Sequence, residues 1–433
     1  MKRKPKHSTS NKIDEVGETL IEEINQTDQE EATQKRSIWR VISIPVLAIL
    51  TGLIIGAILI AATSTTVYAA FEDSFWVGLG TAFQEIYRAY EALFTGSIGD
   101  PVRIINALRS GEERAIRSAF NPFLESLVQT TPYIFAGLAV ALGFRSGLFN
   151  IGVEGQLFIG AACATFVGYA LTGLPWIIHM PLAFLAGALG GAFWGFIPGL
   201  LKATTGGHEV INTIMMNWIA FRLTEWLLSG PMNRPGADGM PLSPIIERSA
   251  QIPQFFQTPI RFHLGFFFAL GFAWLVWWFL FKTKWGLNLR TVGANPRAAR
   301  YAGLNVTKSF IIGMSLSGAL AGLAGAVQIL AVNRSMALGL SSGYGFDSIA
   351  LALIGNNHPL GVVLASLLFG VLRNGATRMM VVSRIPIDII DVLQAIILMF
   401  VAAPAIIRSL YRLRKPKHEE ETVFVSGWGG GQT

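Results

Sequence analysis

The sequence predicts an all-α protein, a polytopic transmembrane helical bundle of about ten spans with cytoplasmic N- and C-termini. Three observations predict this fold class. Hydrophobic residues make up 52% of the 433 residues and charged residues only 14%, whereas soluble domains carry about 25% charged residues. Apolar runs long enough to span a bilayer recur along the chain. Basic residues cluster before the first run and after the last one, which places both ends in the cytoplasm.

The net charge of +7 is also explained by a membrane protein. In a soluble protein such a basic balance would point to nucleic acid. Here the basic residues flank membrane spans, so we expect membrane lipid around the chain and no nucleic-acid partner.

The two ends of the chain are polar. Residues 1–38 show no apolar periodicity that could bury a core, so they are predicted to be a disordered cytoplasmic tail. The transmembrane domain is predicted to be 39–410, with its first span from Val41 to Ala62. Residues 63–122 mix both charge signs and are predicted to be an extracytoplasmic segment with one or two amphipathic helices. Residues 411–433 contain most of a basic cluster that follows the last span, and they are predicted to be a second cytoplasmic tail.

Nine more apolar runs follow the first span, and two of them, near 346–356 and 359–373, are short. Counted as two crossings, they give ten spans and two cytoplasmic termini. Counted as one, they put the C-terminus outside, against the basic residues that follow the last span. Either run can also be re-entrant, because transporters let irregular backbone line a cavity. The other runs lie near 124–143, 157–172, 176–200, 208–228, 264–281, 309–332 and 387–408.

One polar stretch, 144–160, lies between two apolar runs. It carries Arg145, Asn150, Glu154 and Gln156 among four glycines. Polar groups at membrane depth are costly unless they line a cavity or face other protein. We therefore predict that this stretch is part of a substrate pathway. Glu154 can face the substrate, fix a neighbouring backbone or pair with Arg145.

Other amides interrupt the later apolar runs. Asn212 and Asn217 either join the pathway or hold helices together through hydrogen bonds. Asn356 and Asn357 separate the two short runs and are predicted to form a gate or a turn. We include Asn212, Asn217 and Asn356 among the pathway residues.

The sequence lacks the nucleotide-binding and metal-binding motifs that we searched for. It contains no Gly-x-x-x-x-Gly-Lys-Ser/Thr phosphate loop and no His/Cys spacing typical of a metal site. We therefore expect no catalytic residue, no metal and no cofactor on this chain. Any energy for transport would come from a partner chain or an ion gradient.

Residues 282–308 form the most basic loop, with six Lys or Arg and no acidic residue, so they are predicted to be cytoplasmic. Asn295 can cap a short helix that begins at Pro296, and Gly303 can end it. Such a helix across the cytoplasmic face would be a lever that carries motion from a soluble partner into the spans. An ordinary basic loop is the alternative.

The same residues resemble a known signature. Gly293, Asn295, Ala298, Ala299 and Gly303 stand at the spacing of the coupling loop in ABC importer permeases of the ribose and branched-chain amino acid family. The block 147–156 is similar to the subgroup that takes up nucleosides with a basic-membrane-lipoprotein type binding protein. The stretch 346–361 also fits, and the resemblance covers about 124–408.

The resemblance implies a multi-subunit importer in a bacterial plasma membrane, in which 39–410 is the permease domain. The partners would be a second permease or a copy of this chain, an extracytoplasmic substrate-binding lipoprotein, and a cytoplasmic ABC ATPase that uses the ATP. The coupling helix would dock on this ATPase through Arg297, Arg300 and Tyr301.

Three other functions remain open. Permeases for a simple sugar or an amino acid share the scaffold. An ion-coupled secondary transporter would need buried carboxylates, for which Glu154, Asp347, Asp388 and Asp391 are the candidates. A membrane scaffold without transport activity is a third, weaker alternative.

Overall fold

The computed structural model describes residues 38–236, 239–383 and 385–412. In this part of the chain the fold is helical, and β structure is limited to two isolated bridges. The helices are α1 (Ile38–Thr63), α2 (Thr65–Asp73), α3 (Phe75–Ser97), α4 (Pro101–Ser110), α5 (Glu113–Arg145), α6 (Val153–Ala170), α7 (Trp176–Thr205), α8 (Glu209–Ser229), α9 (Gly265–Lys282), α10 (Lys284–Ala294), α11 (Pro296–Tyr301), α12 (Val306–Val327), α13 (Tyr344–Ile354), α14 (Pro359–Ser383), α15 (Ile387–Ala402) and α16 (Pro404–Leu410). A π-helical extension, Gln328–Asn333, continues α12.

The two predicted tails lie outside the described residues, apart from residue 38 and residues 411–412. The predicted extracytoplasmic segment, 63–122, contains α2, α3, α4 and the first turns of α5. The side of the membrane on which it lies stays a prediction.

Seven helices in the described part of the chain are long and apolar enough to cross a membrane. An eighth candidate consists of α15 and α16, which are bent by 85° at Ala403, where the sequence predicts one continuous span. Two predicted spans do not meet this criterion. The first is α8, which carries Arg222 and Glu225, and the second is the short α13. The all-α membrane fold is therefore confirmed, and the count of about ten spans remains a prediction.

Three helices form the centre of the bundle. In α5 83% of the membrane-length window is buried, compared with 28% in α1. The helices α6 and α12 are also mostly buried and pack on α5. The polar stretch predicted as the pathway joins α5 to α6, so it lies in this centre.

Close packing of α7 on α12 depends on glycine. A side chain on Gly191 or Gly195 of α7 would overlap backbone atoms of α12, and the same holds for Gly318 and Gly322 in the opposite direction. Glycines four residues apart lie on one helix face and let two backbones approach closely. The α7–α12 contact forms one wall of the bundle centre.

Candidate functional site

The polar break, residues 145–156, folds into the protein and satisfies its own amides. The Nδ2 group of Asn150 donates to Gln156 Oε1 at 2.9 Å and to Ser317 Oγ at 2.8 Å. Asn150 Oδ1 accepts from Gln156 Nε2 at 3.2 Å and from the backbone N–H of Gly152 at 2.9 Å. Asn150 and Gln156 are each 1% exposed. These amides hold the α5–α6 connection in place and tie it to α12.

Asn217 on α8 fixes the same connection from the other side. Its Nδ2 donates to the carbonyl of Ile151 at 3.0 Å, and its Oδ1 accepts from the N–H of Gly155 at 2.8 Å. The first-turn N–H groups of a helix have no partner within the helix, so Asn217 acts as a cap on α6. Of the two roles open to Asn217, the structure shows the one in which it holds helices together.

The short helix α13 is held at both ends by residues of the polar break. Glu154 Oε2 accepts from the N–H of Gly345 at 2.6 Å, in the first turn of α13. At the other end, Arg145 donates to the carbonyls of Asn357 at 3.0 Å and Asn356 at 3.1 Å. An anion at a helix N-terminus and a cation at its C-terminus both stabilise the helix dipole. Among the roles open to Glu154, the structure shows contact with a neighbouring backbone, and Arg145 has different partners.

A cavity of about 320 Å³ opens beside the N-terminal end of α13. This volume is at the lower end of the range of about 300–1,000 Å³ for small-molecule sites. Ser341, before α13, lies in its wall and accepts from the N–H of Tyr344 at 3.0 Å. Glu154 and aromatic side chains are also in the wall. The lining is Glu154, Phe158, Trp218, Phe221, Arg222, Thr224, Glu225, Leu338, Gly339 and Ser341.

The aromatic walls of the cavity come from α6 and α8. The Phe158 and Phe221 rings meet edge to face with centroids 5.0 Å apart, and Trp218 packs on Phe221 at 5.9 Å. At the rim, Arg222 pairs with Glu225 at 2.7 Å. Flat apolar faces beside hydroxyl and carboxylate groups can bind a planar polar molecule. Sequence reasoning missed Trp218, Phe158 and Phe221, because aromatic residues in an apolar run also suit lipid.

The remaining predicted pathway residues lie away from this cavity. Asn212 is half-buried in the first turn of α8, before Asn217. Asn356 is exposed at the far end of α13, and both Asn356 and Asn357 have φ of 52°. The prediction of a turn at this position is therefore confirmed, and the gate remains untested.

The other carboxylates considered for ion coupling have partners or lie at the surface. Asp347 accepts from the Tyr133 hydroxyl at 3.1 Å. Asp391 pairs with Arg373 at 3.0 Å, and Asp388 is exposed at the start of α15.

The coupling segment, residues 284–303, contains the predicted short helix. Asn295 Oδ1 accepts from the N–H groups of Arg297 and Ala298, each at 3.0 Å, and Pro296 is the first residue of α11. Gly303 follows the helix with φ of 78°, a conformation that side chains disfavour. The predicted capped helix is therefore confirmed.

One face of α11 is buried and the other is exposed. Ala299 is completely buried beside Val292 and Val306, whereas Tyr301 is 95% exposed. Its ring is therefore accessible to another protein. The exposed set also contains Arg297, Ala298, Arg300 and Gly303.

The coupling segment touches the polar break directly. A side chain on Gly293 would overlap backbone atoms of Arg145, Ser146 and Gly147. The guanidinium groups of Arg290 and Arg145 also lie over the same ring, that of Phe281, at 4.8 Å and 5.7 Å from its centroid. A displacement of α10 would therefore act on the residue that holds the C-terminal end of α13.

His358 completes this junction. Its ring lies 5.4 Å from that of Phe281. Burial, and then the charge of Arg145, lowers the pKa of His358, which favours the neutral imidazole beside these cations.

Comparisons with known proteins identify the family of the chain. Residues 123–402 match the family described as branched-chain amino acid transport system / permease component. The guanosine ABC transporter permease protein NupP of Bacillus subtilis is 39% identical over 379 residues, which are 86% of this chain and 97% of the relative. The nucleoside ABC transporter permease protein NupB of Lactococcus lactis is 30% identical, over 85% of this chain and 92% of the relative.

A third relative has a different named substrate. The glucose ABC transporter permease protein TsgB13 of Haloferax volcanii is 35% identical over 288 residues, which are 64% of this chain and 74% of the relative. No solved structure matches the chain.

Proposed function

We propose that this chain, which belongs to the permease family of branched-chain amino acid transport systems, is the membrane subunit of an ATP-driven importer for nucleosides. It would pass the substrate from an extracytoplasmic binding lipoprotein to the cytoplasm. The named substrates of two relatives that align over most of their length support this class. A simple sugar is the second candidate, because the relative from Haloferax volcanii is named as a glucose permease.

The cavity beside α13 is the observation that carries the proposal. A nucleoside is neutral, with a flat base and ribose hydroxyls, so it needs apolar faces and a few hydrogen-bonding groups. Trp218, Phe158 and Phe221 supply the faces. Glu154, Thr224 and Ser341 supply the polar atoms.

The polar break holds one wall of this cavity in place. Asn150, Gln156 and Asn217 keep the start of α6 in position, and Glu154 is in the first turn of α6. On the route we propose, Asn212 and Asn356 lie nearer to the coupling segment and would face substrate on its way out.

A transport cycle follows from the contacts between the two polar stretches. An ABC ATPase would bind the exposed face of α11 at Arg297, Arg300 and Tyr301, and ATP would be used on that partner. Motion of α11 and α10 would act at Gly293 on the backbone of 145–147. Arg145 would transmit it to the C-terminal end of α13, whose N-terminal end lies at the cavity. The cavity would then open to alternate sides of the membrane.

The order of the helices supports ten crossings. The seven candidate spans and the bent pair make eight. With α8, and with the stretch 334–354 that ends in α13, the count becomes ten and both termini lie in the cytoplasm. The second permease subunit would be a homologue or a copy of this chain.

Two tryptophans on α8 offer a matched test. Trp218 and Trp226 are 58% and 60% exposed, and only Trp218 lines the cavity. Stacking on an aromatic side chain is worth about 1–3 kcal/mol per base. Trp218→Ala should therefore reduce uptake of labelled guanosine into liposomes that contain the assembled importer by about tenfold or more. Trp226→Ala should leave uptake near the original rate.

Equal uptake by the two variants would contradict the cavity assignment. Labelled glucose, measured in parallel, separates the two candidate substrates. Uptake of glucose in preference to guanosine would show that the substrate is a sugar and not a nucleoside.

A further inference from the structure

A helical hairpin with many exposed residues lies in the region that precedes the family match. It consists of α2 and the first half of α3, residues 64–88, and we call it the aromatic hairpin. It begins where the candidate span α1 ends, because Ser64 caps α2 and the Tyr68 hydroxyl donates to the carbonyl of Ala62. The end of α1 therefore fixes its position.

The second half of α3 packs on α14 and on the middle of α1, where the Tyr90 hydroxyl donates to the carbonyl of Leu53. α14 begins at Pro359, next to the residues that Arg145 binds. Its distant half contacts α3, since Asn374 Nδ2 donates to the carbonyl of Gly96 at 3.0 Å. Ser126 Oγ donates to the carbonyl of Ser97 at 2.7 Å. The aromatic hairpin is thus joined to the bundle through the second half of α3.

The exposed surface of α3 has two different sides. Trp76, Phe83, Tyr87 and Phe94 recur at spacings of seven and four, which places them on one side of the helix, and Trp76 is 76% exposed. The exposed polar residues lie on the neighbouring side. They are Gln84, Arg88 and Glu91.

The contrast with α1 identifies the surroundings of this helix. Among residues 43–63 of α1, the exposed large hydrophobic side chains are Val46, Leu50, Ile54 and Ile58, all aliphatic, as expected for a helix in hydrocarbon. A helix with one aromatic side and one charged side suits the boundary between lipid and water, where Trp and Tyr are enriched.

We propose that the aromatic hairpin lies in the membrane–water interface at the end of α1, with Trp76, Phe83 and Tyr87 in the lipid and Gln84 and Arg88 in the water. The occupant of its apolar side is therefore lipid. A second copy of the chain or the other permease subunit would instead bury the aromatic side in protein.

Spin labels at neighbouring positions test this orientation. In a Cys163→Ser background, which has no other cysteine, single cysteines replace Phe83 and Gln84 in the assembled transporter in liposomes. Labels at Ile54 and Glu112 give the hydrocarbon and water references. The label at 83 should be more accessible to oxygen than to a water-soluble nickel complex, at a depth shallower than the label at 54. The label at 84 should show the reverse preference.

Three outcomes would overturn the proposal. Two water-accessible labels would place the hairpin outside the membrane, and two lipid-accessible labels would make it a span. A label at 83 that neither reagent reaches would mean a protein partner. If Phe83→Cys fails to assemble, Trp76→Cys reports on the same side.

Discussion

Two polar stretches, the polar break at 145–156 and the coupling segment at 284–303, use their polar groups in opposite ways. In the polar break, Asn150 and Gln156 are buried and bonded to each other. In the coupling segment, Arg297 and Tyr301 are exposed. Buried polar groups need partners inside the protein, whereas exposed ones are available to another subunit. These contacts support our proposals that the first stretch holds the substrate site in place and that the second is the surface for a partner subunit.

The two stretches meet at one point, where Gly147 and Gly293 lie against each other without room for a side chain. Substitutions at and around this contact can therefore separate the roles of the two stretches. Substitutions at this contact should impair both the substrate site and coupling to the ATPase. Substitutions on the exposed side of α11 should impair coupling alone. Substitutions at the cavity end of α13 should impair the substrate site.

The largest effect is expected at the contact itself. Gly293→Val would push a side chain into the backbone of 145–147, which cannot move away cheaply. Overpacking costs about 1–3 kcal/mol or more, so the purified protein should unfold at a lower temperature and uptake should be lost. Gly271→Val is the matched control, because nothing lies within 4 Å of a side chain at that position of α9. A Gly293→Val protein as stable as the control would mean that the two stretches are not in contact.

The next largest effect is expected on the exposed side. Gly303→Arg and Gly111→Arg both replace a glycine of positive φ that ends a short helix and has open space around it. The backbone strain is therefore similar, about 1 kcal/mol in each case. Only Gly303→Arg should lower uptake by about tenfold or more, through loss of ATPase coupling. A similar fall for Gly111→Arg would show that strain alone explains the loss.

A smaller effect is expected at the cavity end. Glu154→Ala leaves the N–H of Gly345 without its acceptor, which costs about 1–3 kcal/mol. Glu154→Gln keeps an oxygen at this position, so its unfolding temperature should fall less, and uptake should fall less as well. Equal losses of stability for the two variants would show that the bond to α13 contributes little.

The sequence allowed much of the fold and the coupling helix to be predicted, because both depend on local patterns. Apolar runs located α1, α5 and α12 to within a few residues at one end or both. The capped helix α11 needed only Asn295, Pro296 and Gly303, which are near each other in the chain. The 85° bend before Pro404 was missed, since hydropathy does not report on direction.

The site was predicted only in part, because its contacts are distant in sequence. Arg145 and Asn357 are 212 positions apart, and Glu154 and Gly345 are 191 apart. The polarity of the break indicated a role in the substrate pathway, but no local sequence pattern predicts that it contacts α13. Trp218 was not distinguishable from a lipid-facing residue until α6 and α8 were seen together.

Reconstituted transport shows whether ATP or an ion gradient drives uptake through this permease. The complete importer, with its ATPase and binding protein, is placed in liposomes, and uptake of labelled guanosine is measured with and without ATP. Uptake should need ATP and should not respond to an imposed proton or sodium gradient. Uptake driven by an ion gradient without ATP would contradict the proposed ATP-driven importer and would favour a secondary transporter.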